Sequence, residues 1–172
     1  AKLATVLRTG KHLLTLVNDV IDVSKIEAGN VEVRVEEFDL VPLVDEALEM
    51  IRKECGDKGI DLRQEIVPLQ IHSDRQRLFQ CLVNLLGNAV KFVAPGKLPE
   101  IRVWSETDGA RVKIWVEDKG IGIPKGMQPR LFEMFYRGAD PQAGTGIGLA
   151  LVRKVVERMG GRVGVESELG KG

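Results

Sequence analysis

The chain has 172 residues, 44% of them hydrophobic, which is enough for one domain with its own core plus an appended element. Its 25 basic and 25 acidic residues cancel, so the charge favours neither nucleic-acid binding nor attachment to an anionic membrane. The lack of a signal peptide and of 18 consecutive apolar residues predicts a soluble region. Cys55 and Cys81 lie far apart without metal-ligand spacing, which predicts buried free thiols in a reducing cytoplasm.

Residues 2–28 are predicted to form one long helix that ends at Gly29-Asn30. Its stripe positions alternate four and three residues apart, as in bundle helices: Leu3, Leu7, Gly10, Leu14, Val17, Ile21 and Ser24. A single helix of this type cannot bury its stripe, so we expect it to pair with a helix that this sequence does not contain. The sequence therefore divides into a bundle helix, residues 1–29, and a main domain, residues 30–172.

The main domain is predicted to begin with a half-buried strand at residues 31–36, where valines alternate with charged residues. Asp39 is placed to cap a helix from about Leu40 to Cys55. A turn at residues 56–59 and a second strand from Ile60 to Val67 are expected to follow.

The next segment, Ser73 to Phe92, has the strongest helical pattern in the chain. Its apolar stripe recurs at three- and four-residue spacing: Leu78, Leu82, Leu85, Leu86 and Ala89. Ser73 and Gln76 predict a capping box, and Asp74 suits the positive end of the helix dipole. Asn84, Asn88 and Lys91 share one face, which taken alone is equally compatible with a solvated face and with a ligand-binding stripe.

Two strands, residues 101–105 and 112–116, are predicted to form a hairpin with its turn at Asp108-Gly109. A short helix is expected from Met127 to Tyr136, a longer one from Gly144 to about Met159, and a last strand from Arg162 to Glu166. This order of helices and strands predicts an α+β fold rather than a regular βαβ alternation.

Two glycine-rich segments carry potential binding chemistry. Asp118 to Pro124 (DKGIGIP) follows a strand, so its glycines would let the backbone approach a flat ligand while the carboxylate accepts a hydrogen bond from an amine such as that of adenine. Gly144 to Leu149 (GTGIGL) opens a helix, where bare backbone amides form an anion site suited to phosphates. The spacing matches neither a Walker loop nor a Rossmann fingerprint, and each segment on its own could be a tight turn.

The polar stripe and the two glycine segments would fit a single nucleotide. Asn88 offers a carbonyl oxygen of the kind that Mg²⁺ accepts, since this ion takes few protein ligands and completes its shell with water and phosphate. Lys91, one turn further, suits a phosphate contact. Adenine would then lie at Asp118 and the polyphosphate at the second glycine segment.

Four segments, in this order and at these separations, resemble the N box, first glycine box, F box and second glycine box of sensor histidine kinases: NLLGNAVKF, DKGIGIP, LFEMFYR and GTGIGLA. The end of the first helix, DVIDVSKIEAG, resembles the second helix of that family's dimerisation and phosphoacceptor bundle. The resemblance implies a two-layer α/β sandwich of the kind shared with gyrase and heat-shock chaperone ATPases. Helices would cover one face of a mixed, mostly antiparallel sheet, and a mobile lid would cover the nucleotide.

The resemblance also implies residue roles. Asn88 would bind Mg²⁺ and Asp118 the adenine, and Lys91 and Arg137 would contact phosphates and complete the catalytic set with Asn88. The remaining nucleotide-binding positions are Asn84, Gly120, Gly122, Ile123, Phe132, Phe135, Gly144, Thr145, Gly146, Gly148 and Leu149. The implied enzyme is an ATP-dependent protein-histidine kinase of a two-component phosphorelay, which passes phosphate to a response-regulator receiver domain. It would dimerise through the bundle helix and meet a membrane only through segments absent here.

Three features depart from the family pattern. His12 is followed by Leu13 and lies in the wrong helix, so the phosphoacceptor His is expected on a helix outside this chain. Lys119 stands where the family usually has Asn, and we expect it to point to solvent. The family's last strand would follow Gly172, and the lid at residues 137–143 is short, so the chain is interpreted as a fragment.

Two other functions remain open. ATP-hydrolysing relatives of the same fold carry a Glu four residues before the metal-binding Asn, where it serves as general base. Here that position is Asn84, which cannot act as a base at neutral pH, so a kinase is favoured over an ATPase. The second alternative is a nucleotide-binding docking module without phosphotransfer.

Overall fold

The computed structural model describes residues 33–94, 99–136 and 145–172. Over these residues three helices, α1 to α3, occupy Leu40–Lys58, Arg75–Lys91 and Gly148–Arg158. Five strands, β1 to β5, occupy Glu36–Asp39, Asp61–Glu65, Gln70–Ser73, Glu100–Asp108 and Arg111–Asp118, and a 3-10 helix occupies Gln128–Arg130. The predicted bundle helix, with His12, lies outside the described residues.

Helix α1 begins after Asp39 as predicted, although the Asp39 side chain makes no capping hydrogen bond. The helix runs to Lys58, about one turn beyond the predicted end at Cys55, so the predicted turn at residues 56–58 is wrong. Gly59, with a φ of 65°, ends the helix by donating its amide to the carbonyls of Cys55 and Gly56.

Helix α2 begins one residue later than a Ser73 cap would require, so the predicted capping box is wrong. Ser73 belongs to β3, and the N-cap is Asp74, which is 5% exposed. One carboxylate oxygen of Asp74 accepts the amide of Arg77 at 2.9 Å, and the other accepts the amide of Arg34 at 2.9 Å. Asp74 therefore caps the helix and also fixes the segment that leads into β1.

The strands form two sheets rather than the single sheet implied by the resemblance. Strands β1 and β3 pair antiparallel, whereas β2, β4 and β5 form a second sheet in the order β2-β4-β5, parallel and then antiparallel. Residues 66–69 leave the sheet between β2 and β3; Pro68 has no amide to donate, and the amide of Val67 donates to the hydroxyl of Ser105 at 2.9 Å.

Several predicted boundaries need correction. Of the predicted strand at residues 31–36, residues 31 and 32 lie outside the described residues, residues 33–35 are not in a strand, and β1 starts at Glu36; β3 was not predicted. The predicted helix from Met127 to Tyr136 is reduced to one 3-10 turn, and no strand forms at residues 162–166. The predicted hairpin is confirmed, with Asp108 paired to Arg111 across a two-residue turn in which Gly109 has a φ of 58°.

The core lies between the helices and one face of the β2-β4-β5 sheet. Alternate residues of β4 point inward, and Ile101 and Val103 are at most 1% exposed. They pack against buried residues of α1 and α2: Leu40, Leu43, Val44, Ala47, Leu48, Ile51, Leu82, Leu86, Ala89 and Val90. The predicted α+β class, with helices over a sheet face, is confirmed. No helix in the described ranges combines the length and apolarity of a membrane span.

Candidate functional site

Helix α2 lies between α1 and α3 and carries the predicted polar stripe. It packs on the core through Leu82 and Leu86, and on α3 through Cys81 and Leu85. With these two faces occupied, Asn84 and Asn88 are half-buried and Lys91, the last helical residue, is exposed. The Nζ of Lys91 lies 5.2 Å from the centre of the Phe92 ring. The stripe therefore borders packed surfaces and is not a freely solvated face.

The first glycine segment meets the C-terminal end of α2. The carbonyl of Phe92 accepts the amide of Ile121 at 3.1 Å, and Val93 forms an isolated bridge with Gly120. A Cβ on Gly120 would collide with the Phe92 carbonyl oxygen and would lie 2.5 Å from Oδ1 of Asp118. Position 120 therefore requires glycine, because the loop backbone lies directly against the end of α2.

Asp118 lies at the end of β5 with a half-buried carboxylate. Burial raises the pKa of this carboxyl, a hydrogen bond from the Gly120 amide to Oδ1 (2.9 Å) opposes the rise, and the charge of Glu117 adds to it. The other oxygen, Oδ2, accepts no hydrogen bond from the described residues. A partly desolvated carboxylate with one unused acceptor fits the amine of an adenine base.

Lys119 follows Asp118 and is exposed, as expected, but its side chain also forms an ion pair. Its Nζ lies 2.9 Å from a carboxylate oxygen of Glu100, the first residue of β4, and its amide donates to the Glu100 carbonyl at 3.1 Å. The side chain is thus tied to the start of β4, and Arg63 lies 3.5 Å from the same carboxylate.

The second glycine segment meets the F box on one side and α2 on the other. The carbonyl of Gly146 accepts the amide of Phe135 at 2.9 Å, and Gly146 and Phe135 both have positive φ angles, 71° and 61°. A Cβ on Gly148, the first residue of α3, would lie 3.6 Å from the side-chain oxygen of Asn84. The start of α3 therefore lies directly over the polar stripe of α2.

Helix α2 connects the two glycine segments. The second segment lies next to it at Asn84 and the first contacts it at Phe92, and Asn88 lies midway between these two positions. Eight residues at a rise of about 1.5 Å per residue separate the two contacts by about 12 Å. The structure thus brings together the N box and both glycine boxes in the order that one nucleotide would need.

The other predicted site residues are less closely connected to the N box and the two glycine segments. Thr145 accepts the amide of Ile147 at 3.2 Å through its hydroxyl, and Leu149 is half-buried in α3. Phe132 is half-buried and lines an open cavity of about 400 Å³ that no other predicted site residue lines within the described part of the chain. Arg137 and Gly144 lie outside the described residues.

Two residues near the site were missed by the sequence analysis. The side chain of Gln128 donates to the carbonyls of Ile123 and Ser167, and the hydroxyl of Ser167 accepts the Ile123 amide at 2.8 Å. Ser167 is 44 positions from Ile123, so no local spacing could have indicated the contact. Gly122, with a φ of 68°, passes so close to Glu168 that a Cβ would collide with its carbonyl oxygen.

The residues present fit Mg²⁺ only as part of a nucleotide complex. No group of three or more His, Cys, Asp or Glu side chains that could hold a metal ion occurs among the described residues. The half-buried Asn88 carboxamide offers one oxygen, which suits an ion that is held mainly by phosphates and water.

Gly146→Ala should separate the F box from the second glycine segment. A Cβ there would lie 2.8 Å from atoms of Phe135 and Tyr136, and Ala at a φ of 71° is strained, so we expect unfolding to become about 1–2 kcal/mol easier. Gly87→Ala is the control, because Gly87 is exposed in α2 with open space around it and Ala should stabilise the helix by about 0.5–1 kcal/mol. Urea unfolding measures the free energy of unfolding of both variants. Equal losses of stability would contradict the close approach of Gly146 to the F box.

Comparison with known proteins gives one family. Residues 73–172 match the family described as "Histidine kinase-, DNA gyrase B-, and HSP90-like ATPase". The chain is 39% identical over 176 residues to the circadian input-output histidine kinase CikA of Synechococcus elongatus, covering 95% of this chain and 22% of CikA. It is 38% identical over 181 residues to the signal transduction histidine-protein kinase BarA of Escherichia coli K12, covering 99% of this chain and 20% of BarA. The chain thus spans about a fifth of these relatives.

Solved structures agree with these matches. The chain superposes on full-length ShkA, crystallised in complex with AMPPNP, with a TM-score of 0.87 and 34% identity over 99% of this chain and 36% of ShkA. It also resembles the histidine kinase ThkA in its complex with the response regulator TrrA, with a TM-score of 0.67 and 25% identity over 87% of this chain and 43% of ThkA.

Proposed function

Because the chain belongs to the histidine kinase-, DNA gyrase B- and HSP90-like ATPase family, with an ATP-binding domain of the sensor histidine kinase type, we propose that it is the catalytic region of a two-component kinase. It binds Mg-ATP and transfers the γ-phosphoryl to a His on a helix outside this chain. The observation that carries this proposal is the position of α2, which lies next to both glycine segments at positions about 12 Å apart, with Asn88 midway between them. The AMPPNP complex of ShkA supports the proposal that the ligand is a nucleotide.

The base-binding end is formed by the first glycine segment. Asp118 accepts a hydrogen bond from the adenine amine through Oδ2, while Oδ1 keeps the loop in place through the Gly120 amide. Gly120 and Gly122 let the loop pass close to α2 and to residue 168, which leaves Ile123 to contact the base. Burial of the carboxylate strengthens such a hydrogen bond, because the local dielectric constant is lower than that of water.

The phosphate end is formed by α2 and the start of α3. The amides of Gly146, Gly148 and Leu149 lie at the positive end of α3 and bind phosphate oxygens, and Gly144 and Thr145 precede them. Asn88 would hold Mg²⁺, which when bound neutralises phosphate charge. Lys91 and Arg137 offset the charge that develops on the γ-phosphoryl, so the chain contributes mainly positioning and electrostatic stabilisation. Phe132 and Phe135 anchor the lid.

Transfer to a protein is favoured over hydrolysis by the residue that faces α3. Asn84, in α2 one turn before Asn88, lies next to the start of α3, and its carboxamide has no proton-accepting group of useful pKa. A water molecule near the γ-phosphate therefore has no general base at this position.

Asn84→Glu should raise slow ATP hydrolysis, because it supplies a carboxylate one turn from Asn88. The increase in hydrolysis rate should stay well below the ~10²–10⁴-fold that an aligned base provides. Gly148 lies close to the side chain of residue 84, so the longer Glu side chain has little room to reach an aligned position. Phosphate release from the purified chain measures the effect, and Asn84→Gln controls for side-chain length. Equal rates for Glu and Gln would show that a missing base does not separate this protein from the ATPases.

The partners follow from the same proposal. We propose further that residues 1–29 supply the second helix of a bundle through which the kinase dimerises, and that residues 30–172 are its catalytic domain. A response-regulator receiver domain takes the phosphoryl group from the His; the complex of ThkA with TrrA supports this class of partner. The catalytic region lies in the cytoplasm, where ATP is available.

Labelled ATP tests the proposal. The purified chain is incubated with γ-labelled ATP, Mg²⁺ and the phosphoacceptor helix pair of a sensor histidine kinase, and label on the acceptor His is counted. Transfer that requires this chain supports the kinase, whereas ATP binding without transfer would support the alternative of a nucleotide-binding docking module. Label found only as inorganic phosphate would favour an ATPase.

A further inference from the structure

We propose that Gln128 and Ser167 are a positioning pair that holds the base-facing loop in its binding conformation and joins it to the start of the F box. The inference rests on the proposed function, because it assigns this pair to adenine binding. Neither residue is among the predicted nucleotide-binding positions, and both act on the nucleotide only through the loop.

The pair engages both polar backbone groups of Ile123. The amide of Ile123 donates to the Ser167 hydroxyl at 2.8 Å, and its carbonyl accepts Nε2 of Gln128 at 3.0 Å. Ile123 lies outside any strand or helix, so its amide and carbonyl have no hydrogen bonds from secondary structure. The two side chains supply these hydrogen bonds instead. The orientation of this peptide therefore depends on two side chains.

The pair also links three separate segments. Nε2 of Gln128 donates a second hydrogen bond to the Ser167 carbonyl at 2.9 Å, and the Ser167 hydroxyl donates to the Gly172 carbonyl at 2.7 Å. Gln128 is the first residue of the 3-10 helix, which leads within two residues of its end to Phe132 of the F box. One carboxamide thus joins the base-facing loop, the C-terminal segment and the 3-10 helix that leads into the F box.

The other end of the loop is fixed by different contacts. Gly120 and Ile121 are held against Phe92, at the end of α2. Without Gln128, the loop would remain attached at Gly120 but lose one anchor of Ile123. Binding of adenine would then have to order that peptide, and the ordering cost would lower affinity for the base without changing the phosphate end of the site.

The test compares ATP with inorganic tripolyphosphate, each titrated with Mg²⁺ into the whole chain by calorimetry. For Gln128→Leu, which keeps the bulk and removes both donated hydrogen bonds, we expect three- to tenfold weaker ATP binding and tripolyphosphate binding within twofold of wild type. Gln70→Leu, at an exposed position of β3, is the matched control and should change neither. A general structural defect would instead weaken both ligands.

Ser167 supplies a second pair of variants in case Gln128→Leu folds poorly. Ser167→Ala should reproduce the selective loss of ATP affinity, and Ser167→Thr, which keeps the hydroxyl, should restore it. Unchanged ATP affinity in Gln128→Leu and Ser167→Ala, or parallel loss for ATP and tripolyphosphate, would overturn the positioning role alone. A wild-type chain that binds neither ligand would overturn the proposed function together with this inference.

Discussion

Replacing Asp118 with Asn should weaken ATP binding by about 1–3 kcal/mol, or roughly 5- to 150-fold, while the chain stays folded. The Asn oxygen can still accept the Gly120 amide, which in the wild type donates to Oδ1 at 2.9 Å. Its NH₂ group would then face the adenine amine, a donor against a donor. Calorimetric titration with ATP measures the change. An unchanged affinity would mean that Asp118 only closes the turn at the end of β5.

The same substitution should leave the free energy of unfolding equal or higher at neutral pH. Burial raises the pKa of the Asp118 carboxyl in the folded state, so the folded state binds its proton more tightly than the unfolded state. Stability therefore falls as pH rises from the ordinary Asp pKa through the raised one, and Asn removes this cost. The difference between Asn and Asp variants should vanish at pH values below the ordinary pKa. A less stable Asn variant at neutral pH would contradict this account.

Asn88→Asp should abolish phosphotransfer, with a loss on the order of a hundredfold or more. A carboxylate at this half-buried position would change the geometry of a bound Mg²⁺ and add a negative charge beside the phosphates. Stability should change by less than about 1 kcal/mol, because the helix-ending hydrogen bond from the Phe92 amide goes to the backbone carbonyl of Asn88. The measurement is label transfer to the phosphoacceptor helix pair, with urea unfolding beside it.

Gln76→Glu is the matched control for Asn88→Asp. It adds the same charge to an exposed position in the first turn of α2, where an acidic residue suits the helix dipole. This variant should transfer phosphate at the wild-type rate. If Asn88→Asp also transferred at that rate, Asn88 would not be the metal-binding residue.

Elements with strong local patterns could be predicted from the sequence. The periodic leucines correctly predicted helix α2, and the alternating residues on either side of Asp108-Gly109 correctly predicted the β4-β5 hairpin. In both cases the side-chain spacing decides which face is buried. The capping box failed because Ser73 is held in β3 by pairing with Glu36, a contact 37 residues away. Local spacing cannot reveal that Ser73 will become part of a strand and so be unable to cap α2.

The site was only partly predictable for the same reason. Asp118 and the glycines could be found because a strand end and a helix start give their residue types a local meaning. Gln128 and Ser167 could not, since a glutamine and a serine acquire their role only when the C-terminal segment lies beside the base-facing loop. The helix expected at Met127–Tyr136 is limited to a 3-10 turn at Gln128–Arg130, and the positive φ of Phe135 is incompatible with regular helix at the end of the predicted range.

Amide hydrogen exchange, measured on the purified chain with and without Mg-ATP, most directly tests whether one nucleotide lies along α2 between the two glycine segments. We expect Mg-ATP to slow exchange at residues 118–123 and 145–149 together, at the same ATP concentration, because a single ligand contacts both segments. Protection of one segment alone, or of neither, would contradict it.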